Sequence, residues 1–160
     1  MGKVLAGFDN GYLGAISRAV DDIVIPMGTL AAGGIAFGLP VAYDSAKTGV
    51  TPFASAHTAE DFVGIAVRSA SKTPNSYSSS QGQYNSQEMV DVLVRGSTVV
   101  QCVTGTPAPG GAVYIIKANG RFSAEAATGG TDNVLIPNMK FRGTKDSYGY
   151  AETVILERMA

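Results

Sequence analysis

The sequence contains little of what most metal and catalytic sites are built from. Its 160 residues include one cysteine, one histidine and no tryptophan, and only 16% of them are charged. The lone Cys102 excludes an internal disulfide framework, and the lone His57 makes the common zinc and iron sites hard to assemble. The formal net charge of −1 disfavours nucleic-acid binding, which needs a basic surface. We therefore expect no metal, no cofactor and no nucleic-acid partner.

Long hydrophobic runs are missing as well. No stretch approaches the roughly 20 apolar residues of a membrane-spanning helix, and the N-terminus lacks the apolar core of a secretory signal. The composition is nevertheless that of a folded protein, because 45% of the residues are hydrophobic. The sequence therefore predicts a soluble protein that has no membrane partner and is made in a reducing compartment, or at least does not need an oxidising one.

The side-chain patterns of common enzyme classes are also absent. There is no G-x-S-x-G motif for a nucleophilic serine, and Cys102 lies in the apolar run TVVQCV, which indicates a buried, unreactive thiol. His57 precedes Glu60 and Asp61, but one histidine beside acidic residues is more typical of a surface loop than of a site. We predict that the protein is not an enzyme, with no catalytic residues and no small-molecule substrate.

The sequence does contain alternating apolar and polar residues, the pattern of β-strands. In the run MVDVLVRG, Val90, Val92 and Val94 point to one face, and the next run, STVVQCV, is expected to return as a hairpin after Gly96-Ser97. Further strand-like runs are DFVGIAVR, AVYIIKA and GYAETVILER, and turn residues separate the runs about every ten residues. These features predict an all-β fold, a small antiparallel β-barrel or β-sandwich.

The segment PGGAVYIIKANGRFS, residues 109–123, contains a glycine pair and a lysine, as phosphate-binding loops do. Such loops place their glycines between a strand and the N-terminus of a helix, whereas here a β-branched run follows the glycines. We therefore predict a strand over residues 112–118, a type I′ turn at the Asn-Gly pair, and an antiparallel return strand from Arg121. The glycine pair is expected to contact no ligand.

Two segments differ from the rest of the chain. Residues 1–22 are rich in glycine and have scattered apolar side chains without a clean period, which favours an extended N-terminal arm. Residues 69–87 contain seven serines, which predicts a long polar surface loop of the kind that often carries function. The best helical candidate, residues 57–62, is at most a turn or two. We expect the arm to precede a single β domain over residues 23–160.

The order of these segments resembles that of the structural cement or decoration proteins of tailed-bacteriophage capsids. The resemblance spans about Gly7 to Met159 and is carried by the hairpin PMGTLAAGGIAFGLPV, the strand FVGIAVR, the pattern V-x-V-x-V-R-G, and the hairpin GGAVYI…NGRFS. It implies a β-tulip-like or jelly-roll-like fold without catalytic residues. It also implies a virion structural protein, made in the host cytoplasm, that binds the capsid exterior, cements neighbouring capsomers and stabilises the expanded shell.

The resemblance further implies that the partners are the major capsid protein and other copies of the same chain, as a homotrimer in preference to a homodimer. An extended arm can dock by strand addition, and tyrosines offer a large contact area at low entropic cost. The alternatives are that the arm residues pack onto their own core and that the loop tyrosines are simply exposed. The expected capsid contacts are Phe8, Tyr12, Leu13, Ile16, Tyr77 and Tyr84.

Two other functions compete with this interpretation. The segment FDNGYLGAI, residues 8–16, resembles the uracil-binding hairpin of trimeric dUTPases, in which Tyr12 would stack on the ribose. That family's Arg-Ser-Ser motif is missing, however, and its hairpin lies in the middle of the chain rather than at the N-terminus. The second competitor is another virion β-protein, such as a tail or fibre component.

Overall fold

The computed structural model describes residues 10–29, 31–68 and 82–157. Among these residues it contains strands, one 3-10 helix and no α-helix, so the all-β prediction is confirmed. The 3-10 helix, Ala59–Asp61, lies inside the segment in which a short helical turn was predicted. The strands are β1 (Ile16–Gly28), β2 (Ile35–Ala36), β3 (Pro40–Tyr43), β4 (Val50–Pro52), β5 (Phe62–Ala66), β6 (Gln83–Tyr84), β7 (Met89–Thr104), β8 (Ala112–Ile116), β9 (Arg121–Ser123), β10 (Ala127–Thr128), β11 (Thr131–Asp132), β12 (Val134–Phe141) and β13 (Tyr150–Ile155).

Five of the strands close into a small barrel in the order β7-β13-β12-β8-β9. The ring closes because β13 pairs with both β12 and β7, and β9 pairs with both β8 and β7. The β7–β9 ladder is parallel, with Cys102 opposite Phe122, and this ladder departs from the predicted antiparallel arrangement. Closure removes the free strand edges that an open sheet would expose to other chains.

The barrel encloses a cluster of apolar side chains to which all five of its strands contribute. Phe122, Phe141 and Met139 are each at most 1% exposed. Phe62 and Ile65 of β5 join the same cluster, so the barrel core continues into the neighbouring strands. Burial of such large side chains is the main favourable contribution to folding.

The remaining large strands extend the sheet beyond the barrel and form a second apolar layer. β5, β3 and β4 follow β7 in that order, and β1 also pairs with β7. The predicted alternation is confirmed here, because Val90, Val92 and Val94 are at most 2% exposed and pack in the second cluster, whereas Met89 is 58% exposed. The short β2–β6 pair adds Ile35 to this layer.

β7 is one continuous strand of 16 residues, so the hairpin predicted at Gly96-Ser97 is wrong. Gly96 has a φ of +119°, and the β1–β7 ladder shifts its register around it. Such a bulge bends a strand without reversing it. A Cβ at Gly96 would lie 2.9 Å from the Cα of Asp22, which explains why this position needs glycine. Alternation on both sides of a glycine does not distinguish a bulge from a turn.

The hairpin of residues 109–123 has the predicted strands and a different turn. β8 and β9 pair antiparallel, from Tyr114 opposite Ser123 to Ile116 opposite Arg121. The connection is four residues long, and Gly120, at +62°, is its one residue with a positive φ, so the predicted type I′ turn is wrong. The amide of Gly120 donates to the Ile116 carbonyl at 2.8 Å.

The glycine pair that precedes β8 is part of the barrel wall. The amide of Gly110 donates to the Phe141 carbonyl at 2.8 Å, and the amide of Phe141 donates to the Gly111 carbonyl at 3.0 Å. These two glycines therefore join the start of β8 to the end of β12. Their backbone groups act in the architecture of the sheet, as the sequence pattern indicates.

Parts of both distinctive segments belong to the folded domain. β1 begins at Ile16, so residues 16–22 of the predicted arm lie in a strand, in which Ile16 and Arg18 pair with β7. The boundary placed after residue 22 falls inside that strand. The shifts of register along β1 explain why its sequence lacks a clean period of two. Residues 82–87 of the predicted polar loop include β6. Residues 1–9 and 69–81 lie outside the described residues.

Candidate functional site

Cys102 and His57 are the side chains of the types most often found in catalytic and metal sites, and both make local structural hydrogen bonds. Cys102 is 2% exposed and its Sγ donates to the Thr104 carbonyl at 3.2 Å, and burial raises the pKa of its thiol. His57 Nδ1 accepts a 2.9 Å hydrogen bond from the Ala54 amide, which closes a local turn. Within the described ranges, no group of three or more His, Cys, Asp or Glu side chains could hold a metal ion.

Two tyrosines are the most exposed aromatic side chains of the described chain. Tyr12 is 59% exposed and Tyr148 is 65% exposed. The guanidinium of Arg68 lies 5.4 Å from the ring centroid of Tyr12, and the ring of Tyr150 lies 6.0 Å from that of Tyr148. Tyrosine and arginine are enriched at the centres of protein interfaces. We call these four residues together with Asn10 the tyrosine surface.

The turn that presents Tyr12 is tightly packed. The Ala15 amide donates to the Tyr12 carbonyl at 3.0 Å, and the Gly14 amide donates to the Val99 carbonyl at 2.9 Å. Gly14 has a φ of +71°, and a Cβ there would lie 2.9 Å from the Gly38 amide nitrogen. The turn directs Leu13 into the protein, where it is 8% exposed, and leaves Tyr12 in solvent.

A second turn presents Tyr148, and Asp146 organises it. Asp146 Oδ1 accepts hydrogen bonds from the amides of Tyr148 and Tyr150, each at 2.9 Å. The amide of Gly149, whose φ is +80°, donates to the Asp146 carbonyl at 3.0 Å. This pattern, in which an aspartate binds backbone amides that follow it, fixes tight turns. It holds Tyr148 away from the barrel wall.

Asn10 joins the two turns. Its amide donates to Asp146 Oδ2 at 3.0 Å, and its Nδ2 donates to the carbonyls of Thr144 at 3.1 Å and Tyr150 at 2.7 Å. The contacts link positions more than 130 residues apart in the chain. The start of the described chain and the loop before β13 therefore form one surface.

An ion pair between Arg18 of β1 and Glu152 of β13 forms a second contact between the beginning of the described chain and β13. Glu152 Oε1 accepts hydrogen bonds from Arg18 Nε and Ser17 Oγ, both at 2.8 Å. The Arg18 hydrogen bond is the main reason that the pKa of Glu152 lies below its ordinary value of 4.5. Arg18 is itself largely in solvent, with 62% of its side chain exposed, so salt screens the pair.

We expect the Arg18–Glu152 ion pair to stabilise the folded protein at neutral pH and to lose this effect as the pH falls. Because the pKa of Glu152 is lower in the folded state than in the unfolded state, its contribution is present above the ordinary carboxyl pKa and is lost as the pH falls through the folded value. Urea unfolding at pH 7 should show Glu152→Gln to be less stable than wild type, and the difference should shrink progressively as the pH falls below the ordinary carboxyl pKa. Glu60→Gln, at an exposed carboxylate of the 3-10 helix, is the control, and a difference that grows on acidification would contradict the expectation.

Tyr84 differs most from its predicted role. It is 1% exposed, its hydroxyl donates to the Val67 carbonyl at 2.7 Å, and its ring packs edge-on against Phe37 with centroids 5.3 Å apart. A side chain buried in this way belongs to the second core rather than to a contact surface. The serine-rich neighbours of Tyr84 in the sequence conceal the short β6 strand that carries it inward.

The other predicted contacts have different positions. Tyr12 is exposed, Leu13 is buried, and Ile16 is half-buried where it pairs with Thr98. Phe8 and Tyr77 lie outside the described residues. Sequence reasoning did not select Tyr148, although the segment DSYGY has the aspartate and glycine of a tight turn that would present the intervening tyrosine.

The described part of the segment FDNGYLGAI does not follow the course of the hairpin in the dUTPase comparison. Within its described residues, 10–16, the chain makes the turn at Tyr12 and runs directly into β1, which pairs with β7. The ring of Tyr12 contacts Arg68 instead of lining a closed site. This geometry does not favour the nucleotide hydrolase alternative.

Comparisons with known proteins agree with this geometry. Residues 3–156 match the model of a phage family described as "Structural cement protein (E217 gp24/Pam3 gp6)". A chain of a solved structure titled "The capsid of Myoviridae Phage XM1" superposes with a TM-score of 0.72 at 16% identity, over 99% of this chain and 97% of that one. A search of curated proteins found no match.

The chain belongs to the phage structural cement protein family. It is a virion structural protein with a capsid-stabilising role, and it binds capsid protein. The similarity to the XM1 chain shows that the two share a fold. In the part of the chain that the structure describes, no helix has the length and apolarity needed to cross a membrane.

Proposed function

We propose that the protein binds the outer surface of the capsid across the joints between neighbouring capsomers, with the tyrosine surface and the N-terminal segment as its contacts. The observation that carries this proposal is that Asn10, the first described residue, donates hydrogen bonds to Asp146 and to the Tyr150 carbonyl, at the turn that presents Tyr148. A rigid aromatic surface next to a segment with apolar side chains suits the recognition of a protein partner.

The N-terminal segment supplies the second half of the proposed contact. Its sequence, MGKVLAGFD, contains Val4, Leu5 and Phe8, and such a segment can add to the edge of a sheet in the major capsid protein. Main-chain hydrogen bonds then provide affinity, and pockets for the apolar side chains provide the choice of site. The hydrogen bonds of Asn10 fix the point at which this segment joins the folded domain.

Cementing follows from multivalency. We expect a homotrimer in preference to a homodimer. In either oligomer, once one copy has bound the shell, each further copy binds at a high effective concentration. Separation of two capsomers must then break several contacts together, which raises the temperature at which the shell ruptures. This role needs no catalysis, and the local structural contacts of His57 and Cys102 are consistent with a non-enzymatic protein.

Purified protein mixed with expanded capsids of its phage should bind saturably and in a fixed stoichiometry to the capsid subunits. The rupture temperature of the decorated shells, measured by light scattering or dye release, should exceed that of bare shells. Unexpanded procapsids serve as the comparison, since the proposal concerns the expanded lattice. A wild-type protein that binds the expanded shell without saturation, or does not bind it, would rule out the proposed function.

A further inference from the structure

Four of the five arginines of the described chain lie on or beside the tyrosine surface, namely Arg18, Arg68, Arg121 and Arg142. The fifth, Arg95, pairs with Asp21 of β1. Arginine and tyrosine are the residues most enriched at the centres of protein interfaces. The position of each arginine follows from the strand register.

Arg18 and Arg142 lie beside Glu152 on the exterior of the barrel. Ala151 belongs to the barrel core, so Glu152, the next residue of β13, points outward. Arg18 Nε donates to Glu152 Oε1 at 2.8 Å, and the Arg142 amide donates to the Glu152 carbonyl at 2.8 Å. The Arg18 hydrogen bond is the main cause of the lowered pKa of Glu152, and the charge of Arg142 is a smaller one.

Arg68 and Arg121 border the two tyrosines that follow from this arrangement. The guanidinium of Arg68 lies over the ring of Tyr12. Arg121 Nη1 donates to Gln101 Oε1 at 3.1 Å, and Gln101 lies opposite Tyr150 in the β7–β13 ladder. Because directly opposite residues of an antiparallel pair have their side chains on one face, Arg121 reaches the same exterior as Tyr150.

This face has an excess of positive charge that is local. The contacts above place the carboxylates of Asp146 and Glu152 on it, beside four guanidinium groups. The described chain as a whole has nine basic and twelve acidic residues. Asp146 is engaged by backbone amides and Glu152 by Arg18, so within the described residues the other three guanidinium groups of the face have no carboxylate partner.

We propose that the tyrosine surface, bordered by Arg68, Arg121 and Arg142, binds a cluster of Asp and Glu side chains on the outer surface of the capsid protein. The inference rests on the proposed function and names the chemistry of the partner. A guanidinium binds a carboxylate through two parallel hydrogen bonds, and water excluded by the aromatic contact strengthens such pairs. A protein is favoured over nucleic acid, because the negative charge of the rest of the chain repels a long polyanion.

The test is the salt dependence of affinity for expanded capsids, in wild type and in the double variant Arg68→Gln, Arg142→Gln. The wild-type affinity should fall by at least about 10-fold between about 50 mM and about 500 mM NaCl, because salt screens the charge pairs. The double variant should bind about 10-fold more weakly at the lower salt concentration and lose at most about 3-fold over the same range.

The matched control is the double variant Lys47→Gln, Arg95→Gln. It makes the same change in net charge at two residues outside the face, one in the turn between β3 and β4 and the other paired with Asp21. Its affinity and salt dependence should equal those of wild type. Melting temperatures of both double variants are measured in parallel, so that a loss of folding cannot imitate a loss of binding.

A carbodiimide identifies the groups that the face contacts. Arg142→Lys keeps the positive charge and introduces a primary amine, which the reagent joins through an amide bond to a carboxylate in direct contact. Mass spectrometry of the cross-linked peptide should show an Asp or Glu of the capsid protein. A variant that binds saturably without forming this cross-link would contradict the inference.

The remaining outcomes separate the inference from the proposed function. Equal losses in the two double variants, or no loss from Arg68→Gln, Arg142→Gln, would overturn the inference while leaving capsid binding intact. Binding that nuclease treatment of the capsids abolishes would assign the face to DNA and would also overturn it. A wild-type chain that does not bind expanded capsids would overturn both.

Discussion

Replacement of Gly64 by alanine should unfold the protein or destabilise it by at least about 3 kcal/mol. Gly64 lies in β5 between β3 and β7, opposite Val41. A Cβ at this position would overlap the carbonyl oxygen of Leu93 and lie 2.8 Å from Val92 Cγ1. The obstacle is backbone of the adjacent strand, which cannot move without breaking the β5–β7 ladder. The effect should be large because that ladder connects the two apolar layers.

Gly143→Ala is the matched control for this substitution. A Cβ at Gly143 would meet nothing within 4 Å, so its effect should stay within about 0.5 kcal/mol. The measurement is the free energy of unfolding from urea titration, or the soluble yield where Gly64→Ala does not accumulate. If the two alanine variants were equally stable, the close approach of β5 to β7 described here would be incorrect.

Substitution of Tyr12 or Tyr148 by alanine should weaken capsid binding by at least about 30-fold each, the effect of an interface hot spot of about 2 kcal/mol. Both rings are mostly in solvent, so their removal should change the stability of the isolated protein little. The guanidinium of Arg68 also lies over the ring of Tyr12. This cation–π contact contributes more when a bound partner excludes water from it. The two losses need not add, because both residues belong to one surface.

Tyr114→Ala is the control for the tyrosine variants. Tyr114 is a half-buried tyrosine of β8, which is separated from both β7 and β13 by another strand of the barrel. Its removal tests whether loss of any tyrosine from the barrel exterior reduces binding. Each variant is titrated onto expanded capsids, and its melting temperature is measured in parallel. These data distinguish a loss of specific contacts from a general effect of removing a tyrosine and from a loss of folding. Unchanged affinity of the Tyr12 and Tyr148 variants would remove the tyrosine surface from the proposed interface.

The strand content could be predicted from sequence because it depends on local alternation. Val90, Val92 and Val94 occupy the buried face that their spacing indicates, and the β8–β9 hairpin pairs as expected. The bend at Gly96 and the turn at Gly120 were mispredicted, since a glycine with positive φ serves in turns and bulges alike. Which of these forms depends on the neighbouring chain, such as Asp22 beside Gly96.

The candidate site was only partly predictable, because its residues come from distant parts of the chain. Tyr12 could be selected as an aromatic residue of the predicted N-terminal arm. The contacts of Asn10 with Asp146 and Tyr150 depend on the closure of β13 onto β7, which no local pattern encodes. The burial of Tyr84 could not be predicted for the same reason, since its two-residue strand is recognisable only through its pairing with β2, where Tyr84 lies opposite Ile35.

The length of β7 has a consequence for how the molecule responds to force and heat. One strand provides Val92 to the second layer and Val100 to the barrel core, so neither layer can lose its order while the other stays intact. Unfolding should therefore be a single cooperative transition rather than a stepwise one. In the proposed position across a joint between shell subunits, such a molecule would have no weaker half that unfolds first, and it would transmit strain across the joint until the whole structure unfolds.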